Sequence, residues 1–225
     1  RHNRPELCSG YTYLGGNNMK ILFQGDSITD CLRDREGNPS HHLGKGYAYI
    51  CAGRIAYEHP EKDYTFMNRG VGGDTCAQMY GRWQNDTLNL KPDVLSILIG
   101  VNDAGEAVRS PDLAFVYDRY ESVYRLALNE VKELLPETRL ILMEPFLLDA
   151  GNFDHDFITT RKKILVGKQE TVRKLADEFN AVFVPLQEKF NQAAKKREDS
   201  FWLFDSVHPT HAGHTLIADS WLDAT

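Results

Sequence analysis

The chain has 225 residues, with 26 basic and 32 acidic side chains and a net charge of −6. That balance excludes nucleic acid as the default partner, because neutralising phosphates takes a basic face. Hydrophobic residues at 42% and aromatics at 11% are enough for a real core, and no apolar run approaches the roughly 18 residues of a membrane span.

Residues 1–18 are polar and without periodicity, and Met19 opens the first apolar run. They read as a vector-derived leader, with residues 19–225 as one domain. Strand-type runs then follow at Lys20–Gln24, Tyr64–Asn68, Val94–Ile99, Arg139–Glu144 and Ala181–Pro185. Several are nearly all apolar, as strands covered on both faces must be. Helical stretches alternate with them: Tyr47–Glu58, Thr75–Asp86, Asp112–Leu135, Phe157–Phe179 and Pro209–Leu222. In the third, Val123, Leu126, Ala127, Val131, Leu134 and Leu135 recur at helical spacing until Pro136 ends the run. Strand–helix alternation predicts right-handed crossovers and a parallel sheet with helices on both faces. Cys8, Cys31, Cys51 and Cys76 are scattered with no CxxC pair. They are expected to be free thiols in a reducing, cytoplasmic compartment.

Ligands of such sheets bind beyond the carboxyl ends of the strands. Ser27 follows the first strand run, Gly73 the second and Asn102 the third, so all three fall on one rim. Near the C-terminus the chain reads Asp205-Ser206-Val207-His208-Pro209. A serine becomes a nucleophile when a base takes its proton and a third group orients the base, and Ser27, His208 and Asp205 are the residue types required. Gly73 can offer a backbone N–H, and Asn102 a side-chain amide, to a developing oxyanion. Each piece has a plainer reading. Gly-Asp-Ser is an ordinary strand exit, Asn-Asp an Asx-turn, and Asp205 a loop cap. His208, His211 and His214 also recur every third residue, which keeps a metal site as a rival, although a helix starting at Pro209 would turn the last two away from the first. The glycine stretch does not complete GxGxxG, since position 75 is Thr, so a dinucleotide site is disfavoured.

Taken together, Gly25-Asp26-Ser27, Asn68-Arg69-Gly70-Val71-Gly72-Gly73-Asp74, Gly100-Val101-Asn102-Asp103 and Asp205-x-x-His208-Pro209 resemble the four sequence blocks of the SGNH hydrolases, or GDSL family. The resemblance implies a three-layer α/β/α, flavodoxin-like fold with a five-stranded parallel sheet. It implies Ser27 as nucleophile, His208 as general base and then acid, and Asp205 as its orienter. The N–H groups of Ser27 and Gly73 and the Asn102 amide would form the oxyanion hole, with no metal or organic cofactor.

The spelling of Arg82-Trp83, Ile99–Asp103, Met143-Glu144-Pro145-Phe146 and Phe201–Pro209 is most similar to the branch that removes acetyl groups from xylan fragments and other sugars. Trp83, Trp202 and Phe204, with Phe201, are therefore candidates to wall an acyl pocket or face a sugar ring, against core packing as the alternative. The expected partner is a small-molecule or oligosaccharide ester, and a homo-oligomer is compatible with the sequence. The competing readings are a thioesterase or lysophospholipase on the same scaffold and, in another class, a catalytically dead carbohydrate-binding protein.

Overall fold

The computed structural model describes residues 18–38 and 40–225, and no side chains for residues 114 and 115. Cys8 and, apart from Asn18, the expected leader lie outside the described residues. In chain order the elements are β1 (Asn18–Gly25), α1 (Ser27–Asp30), α2 (Tyr47–Glu58), β2 (Asp63–Asn68), α3 (Cys76–Gly81), α4 (Trp83–Asp86), β3 (Val94–Leu98), α5 (Val101–Arg109), α6 (Ala114–Tyr117), α7 (Tyr120–Leu134), β4 (Arg139–Met143), α8 (His155–Glu178), β5 (Val182–Val184), α9 (Gln187–Ala194), α10 (Asp199–Trp202) and α11 (His211–Ala224). The five strands pair in the order β2-β1-β3-β4-β5, and every pairing is parallel. This is the expected three-layer α/β/α architecture with flavodoxin-like strand order.

The period of two along each strand divides the core into two layers. Ile21, Phe23, Val94, Leu98, Ile141 and Met143 pack with α2 and α11. Leu22, Leu95, Ile97, Leu140 and Leu142 pack with α3, α7 and the C-terminal half of α8. Both faces of the central strands β1, β3 and β4 are covered, so these strands are mostly apolar, which is why they were legible as continuous runs. Among the described residues no helix is long and apolar enough to cross a membrane.

Several boundaries differ from the sequence expectation. β1 starts at Asn18, whose Oδ1 accepts the Thr65 hydroxyl at 3.0 Å, so the chain is tied into the sheet one residue before Met19. The helix expected over Thr75–Asp86 breaks at Arg82 into α3 and α4. The helix expected over Asp112–Leu135 is continuous only from Tyr120. The last helix starts at His211 rather than Pro209, because Leu203 and Pro209 form an antiparallel bridge and the Thr210 side chain caps the helix by accepting the Gly213 N–H. α5 and α9 are additional helices. α5 contains Gly105 and starts within the expected strand exit, and α9 is only eight residues long, so neither gives a long apolar period.

One polar group lies in the middle of the sheet. Ser96 of β3 is buried, accepts the Trp221 Nε1–H at 3.0 Å and points its own hydroxyl at the Met143 sulfur at 3.4 Å. Removing one partner of a buried hydrogen bond costs more than removing both. Ser96→Ala is expected to destabilise the fold by about 1–3 kcal/mol, by stranding the indole N–H. Adding Trp221→Phe to Ser96→Ala should cost less than the sum of the two single variants. Urea denaturation of the four-member cycle measures both, and strict additivity would show that the bond is energetically idle.

Candidate active site

Asp26 follows β1 and caps α1, its Oδ1 accepting the Ile28 N–H at 3.0 Å. Ser27 is the first residue of α1, so its N–H is one of the donors that a helix start leaves without an intrahelical acceptor. The Ser27 Oγ lies 2.9 Å from Nε2 of His208, and Nδ1 of His208 lies 2.7 Å from Oδ2 of Asp205. An ionised carboxylate can only accept, so Nδ1 carries the proton and Nε2 is left to receive the hydroxyl hydrogen of Ser27. The other oxygen of Asp205 accepts the N–H groups of Val207 and His208, each at 2.8 Å. Burial works against the charge on Asp205, but these bonds and the His208 ring hold its carboxyl below the usual carboxylate range. The DxxH spacing therefore forms a closed loop in which the aspartate fixes both the backbone and the ring of the histidine.

The glycine block is a tight turn. The Asp74 N–H returns to the Val71 carbonyl at 3.2 Å, and Gly73 sits at the third position with φ +86°. That is the type II hand, which needs a residue tolerant of positive φ there. The Gly73 N–H has no backbone acceptor among the described residues. A Cβ on Gly72 would lie 3.8 Å from Ser27 Cβ, which places the turn beside the serine. Asn102, in the first turn of α5, donates Nδ2–H to the Asp74 carbonyl at 3.0 Å. This fixes which end of the amide is nitrogen and leaves its second N–H available.

Ser27, Gly72, Cys31, Leu32, Phe204 and His208 line a cavity of about 360 Å³ that also reaches His214. Of the aromatic candidates only Phe204 lies there; it is 67% exposed and donates its N–H to the His208 carbonyl. Trp202 instead packs edge-on against Phe201 and donates Nε1–H to the Arg197 carbonyl at 3.3 Å. Trp83 is not brought to this cavity: it is 1% exposed, in the core layer with Leu22, Met79 and Leu128. The reason is its neighbour. The Arg82 guanidinium binds Asp74, Asp86 and the carbonyls of Arg69 and Gly25, holding Arg82 toward the glycine block where the helix is interrupted, and Trp83 follows with its ring in the core. The spaced histidines do not converge. His214 is buried, takes the Tyr47 N–H on Nδ1 and meets Cys31 Sγ with Nε2 at 3.3 Å, while His211 is exposed. Among the described residues no three His, Cys, Asp or Glu side chains are grouped as a metal ion would require.

Sequence reasoning missed the residues that hold these pieces. Asn68 donates Nδ2–H to the carbonyls of Thr29 and Leu43 and accepts the Gly70 N–H, tying the serine turn to the glycine block. Asp103 accepts the Cys76 N–H with both oxygens, joining α3 to α5. Both stand inside the motif blocks quoted from the sequence, but each acts through partners on another segment that the sequence does not reveal.

These features define a three-layer α/β/α protein with a serine–histidine–aspartate relay at the carboxyl edge of its sheet. A model of the GDSL-like lipase/acylhydrolase family matches residues 23–216, and the chain belongs to that family. It is 36% identical over 215 residues to an acetylxylan esterase from Geobacillus stearothermophilus, covering 92% of this chain and 94% of that one. A crystal structure of an acetylxylan esterase from the same organism superposes with a TM-score of 0.79 at 34% identity, over 91% of this chain and 92% of the other. A GDSL-like lipase-family structure from Parabacteroides merdae gives 0.84 at 38% identity, over 92% and 95%. Catalytic mutants of the Geobacillus esterase carry alanine in place of a serine, an aspartate and a histidine.

Two buried acids near the relay set a pH dependence. Burial pushes the Asp26 carboxyl up to about 7, against the pull of the Ile28 N–H, and its Oδ2 has no hydrogen-bond partner among the described residues. Burial likewise pushes Asp103 up to about 6, against the Cys76 N–H and Lys168. Both values exceed those of the unfolded chain, so the folded state holds protons that the unfolded state has released. The stabilisation is complete below the unfolded value, about 3.9 for an aspartate, and is lost as pH rises through the folded values. Unfolding by urea should therefore take less denaturant at pH 8 than at pH 5, and Asp26→Asn should flatten that difference. An unchanged pH slope in the Asp26→Asn variant would show that Asp26 is ionised throughout.

Proposed function

We propose that this protein is a serine esterase that removes acetyl groups from carbohydrates such as xylan fragments, through an acyl-enzyme on Ser27. The observation that carries the reading is the continuous relay from Asp205 through His208 to Ser27, set beside two free N–H donors at the same strand edge. In the forward step His208 Nε2 takes the Ser27 proton as Oγ attacks the ester carbonyl. The oxyanion that forms is met by the N–H groups of Ser27 and Gly73 and the free N–H of Asn102. His208 then gives its proton to the departing sugar hydroxyl, and a water molecule repeats the sequence to release acetate. Asp205 stays ionised and steadies the imidazolium. Every proton is accounted for by these three residues and water.

The alanine mutants of the Geobacillus esterase support the roles of Ser27, Asp205 and His208 by analogy, and its printed activity supports acetylated xylan as substrate class. Leu32 and Phe204, 78% and 67% exposed, offer apolar surface for a sugar ring at the cavity mouth. The free thiols of Cys31, Cys51 and Cys76 fit a cytoplasmic setting.

Ser27→Ala should lower kcat on the order of 10⁶-fold, because loss of the nucleophile disables the triad as a unit. Its thermal midpoint should stay near wild type, since the lost hydroxyl leaves little cavity. Retention of a tenth of wild-type turnover, with contamination excluded, would remove Ser27 from the mechanism. A wild-type enzyme that a fluorophosphonate fails to label would point instead to the dead scaffold.

Acyl length tests the substrate class. The cavity of about 360 Å³ must take both the acyl group and part of the alcohol. Acetyl esters are expected to exceed hexanoyl esters at least about tenfold in kcat/KM. In an open apolar channel each added methylene would instead gain up to about 0.8 kcal/mol of burial. Chromogenic esters of two to eight carbons, followed by acetylated xylo-oligosaccharides, give the sign of the trend, and faster octanoyl cleavage would favour a lipase or thioesterase.

A further inference from the structure

The turn that carries Gly73 is gripped by a segment to which the mechanism above gives no role. Asp30 ends α1 three residues after Ser27 and is buried. Its Oδ2 accepts the Gly72 N–H at 3.1 Å and also receives the Arg35 guanidinium. Its Oδ1 lies 3.3 Å from the Arg33 N–H, and the Arg33 Nε–H donates to the Gly70 carbonyl at 2.8 Å. The segment reaches back over the turn because Cys31 and Leu32 both have left-handed backbone, with φ of 36° and 61°. Such conformations are costly outside glycine and persist where the surroundings over-determine them.

The Gly72 N–H belongs to the peptide that opens this turn, and the Gly73 N–H stands one peptide further on. Holding the first fixes where the turn starts relative to Ser27, whose Cβ would lie 3.8 Å from a Cβ on Gly72. With glycine at both central positions, no side chain of the turn itself anchors that placement. We propose that Asp30 is a positioning residue: by holding the Gly72 N–H, it sets the turn at the place from which the Gly73 N–H reaches the oxyanion. This inference rests on the reading of Gly73 as an oxyanion donor in a Ser27 esterase.

The test compares wild type, Asp30→Ala and Asp30→Asn in steady-state kinetics on an acetyl ester and in binding of ethylboronic acid. The tetrahedral adduct of that acid on Ser27 places an oxygen where the oxyanion forms. Asp30→Ala is expected to lower kcat about ten- to a hundredfold, the scale of a small misplacement at a reacting centre. KM should change less than about threefold, and boronate affinity should fall by the same factor as kcat, because the donor is needed most by the charged oxygen. Asp30→Asn keeps an oxygen acceptor for the Gly72 N–H and should stay within about threefold of wild type in both readouts.

A kcat loss in Asp30→Ala without a matching boronate loss would overturn the proposal, as would wild-type kcat in that variant. Should Asp30→Ala fail to fold, Asp30→Asn decides: a tenfold loss there would mean that the charge, and not the clasp on Gly72, is what matters. Fluorophosphonate labelling of the wild type separates this inference from the one beneath it. An unlabelled, inactive wild type sinks the esterase reading, whereas a labelled, active wild type with an indifferent Asp30→Ala sinks only the role of Asp30.

Discussion

The backbone of the serine turn lies directly on the backbone of the glycine block, and the rest of the site depends on that contact. A Cβ on Gly70 would stand 2.3 Å from the Asp30 nitrogen and 2.9 Å from the Asp26 carbonyl oxygen. No side chain of any kind fits between them. Two strand exits from neighbouring strands, β1 and β2, are thus pressed together at a spacing that only main chain can reach. The contact brings the hydroxyl of Ser27 and the turn of Gly73 to one edge, and the polar clasps from Asn68, Arg33 and Arg82 hold it closed. Hydrophobic packing cannot supply this precision, because the loops carry few apolar side chains. Hydrogen bonds to carbonyls and N–H groups can, since each also satisfies a buried backbone group that would otherwise cost free energy.

Much of this was legible in the sequence and some was not, for identifiable reasons. The central strands could be read because both faces are buried, so Lys20–Gln24 and Val94–Ile99 are mostly apolar runs rather than strict alternations. Asp205 and His208 could be read because a local spacing of three determines their geometry; the loop folds on itself whatever lies around it. Ser27, Gly73 and Asn102 could be placed on one rim from strand order alone. The aromatic candidates were harder. Trp83 lies where an expected single helix breaks at Arg82, and Trp202 turns to its neighbours Phe201 and Arg197, and neither choice of direction is written in the local sequence. The holding roles of Asp30, Asn68, Arg82 and Asp103 were not legible, although the last three stand in motifs quoted from the sequence, because they act largely through partners 8 to 57 positions away. A charged residue near a motif looks like any solvated loop residue until its partner is known.

The acids around the site raise a physical difficulty for an esterase: a site that must stabilise a negative oxygen is surrounded by Asp26, Asp74, Asp103 and Asp205. Left as bare charges, they would oppose the oxyanion and cancel much of what three N–H donors provide. The structure neutralises each one separately. Asp74 is paired with Arg82 at 2.7 Å. Asp205 spends its charge on the His208 ring and two N–H groups. Asp103 faces the Cys76 N–H with Lys168 as its nearest cation, and burial favours its neutral form. Asp26, next to the serine itself, is the one whose proton is held most firmly, up to about 7. Asp26, beside Ser27 in sequence, is therefore the one whose charge burial suppresses most, and Asp205, which the proposed mechanism needs charged, is the one whose bonds keep it so. Under the proposed mechanism, the carboxylates that build the scaffold thus leave the field at the oxyanion to the backbone donors and Asn102, with His208 as the group that would change charge as Ser27 attacks.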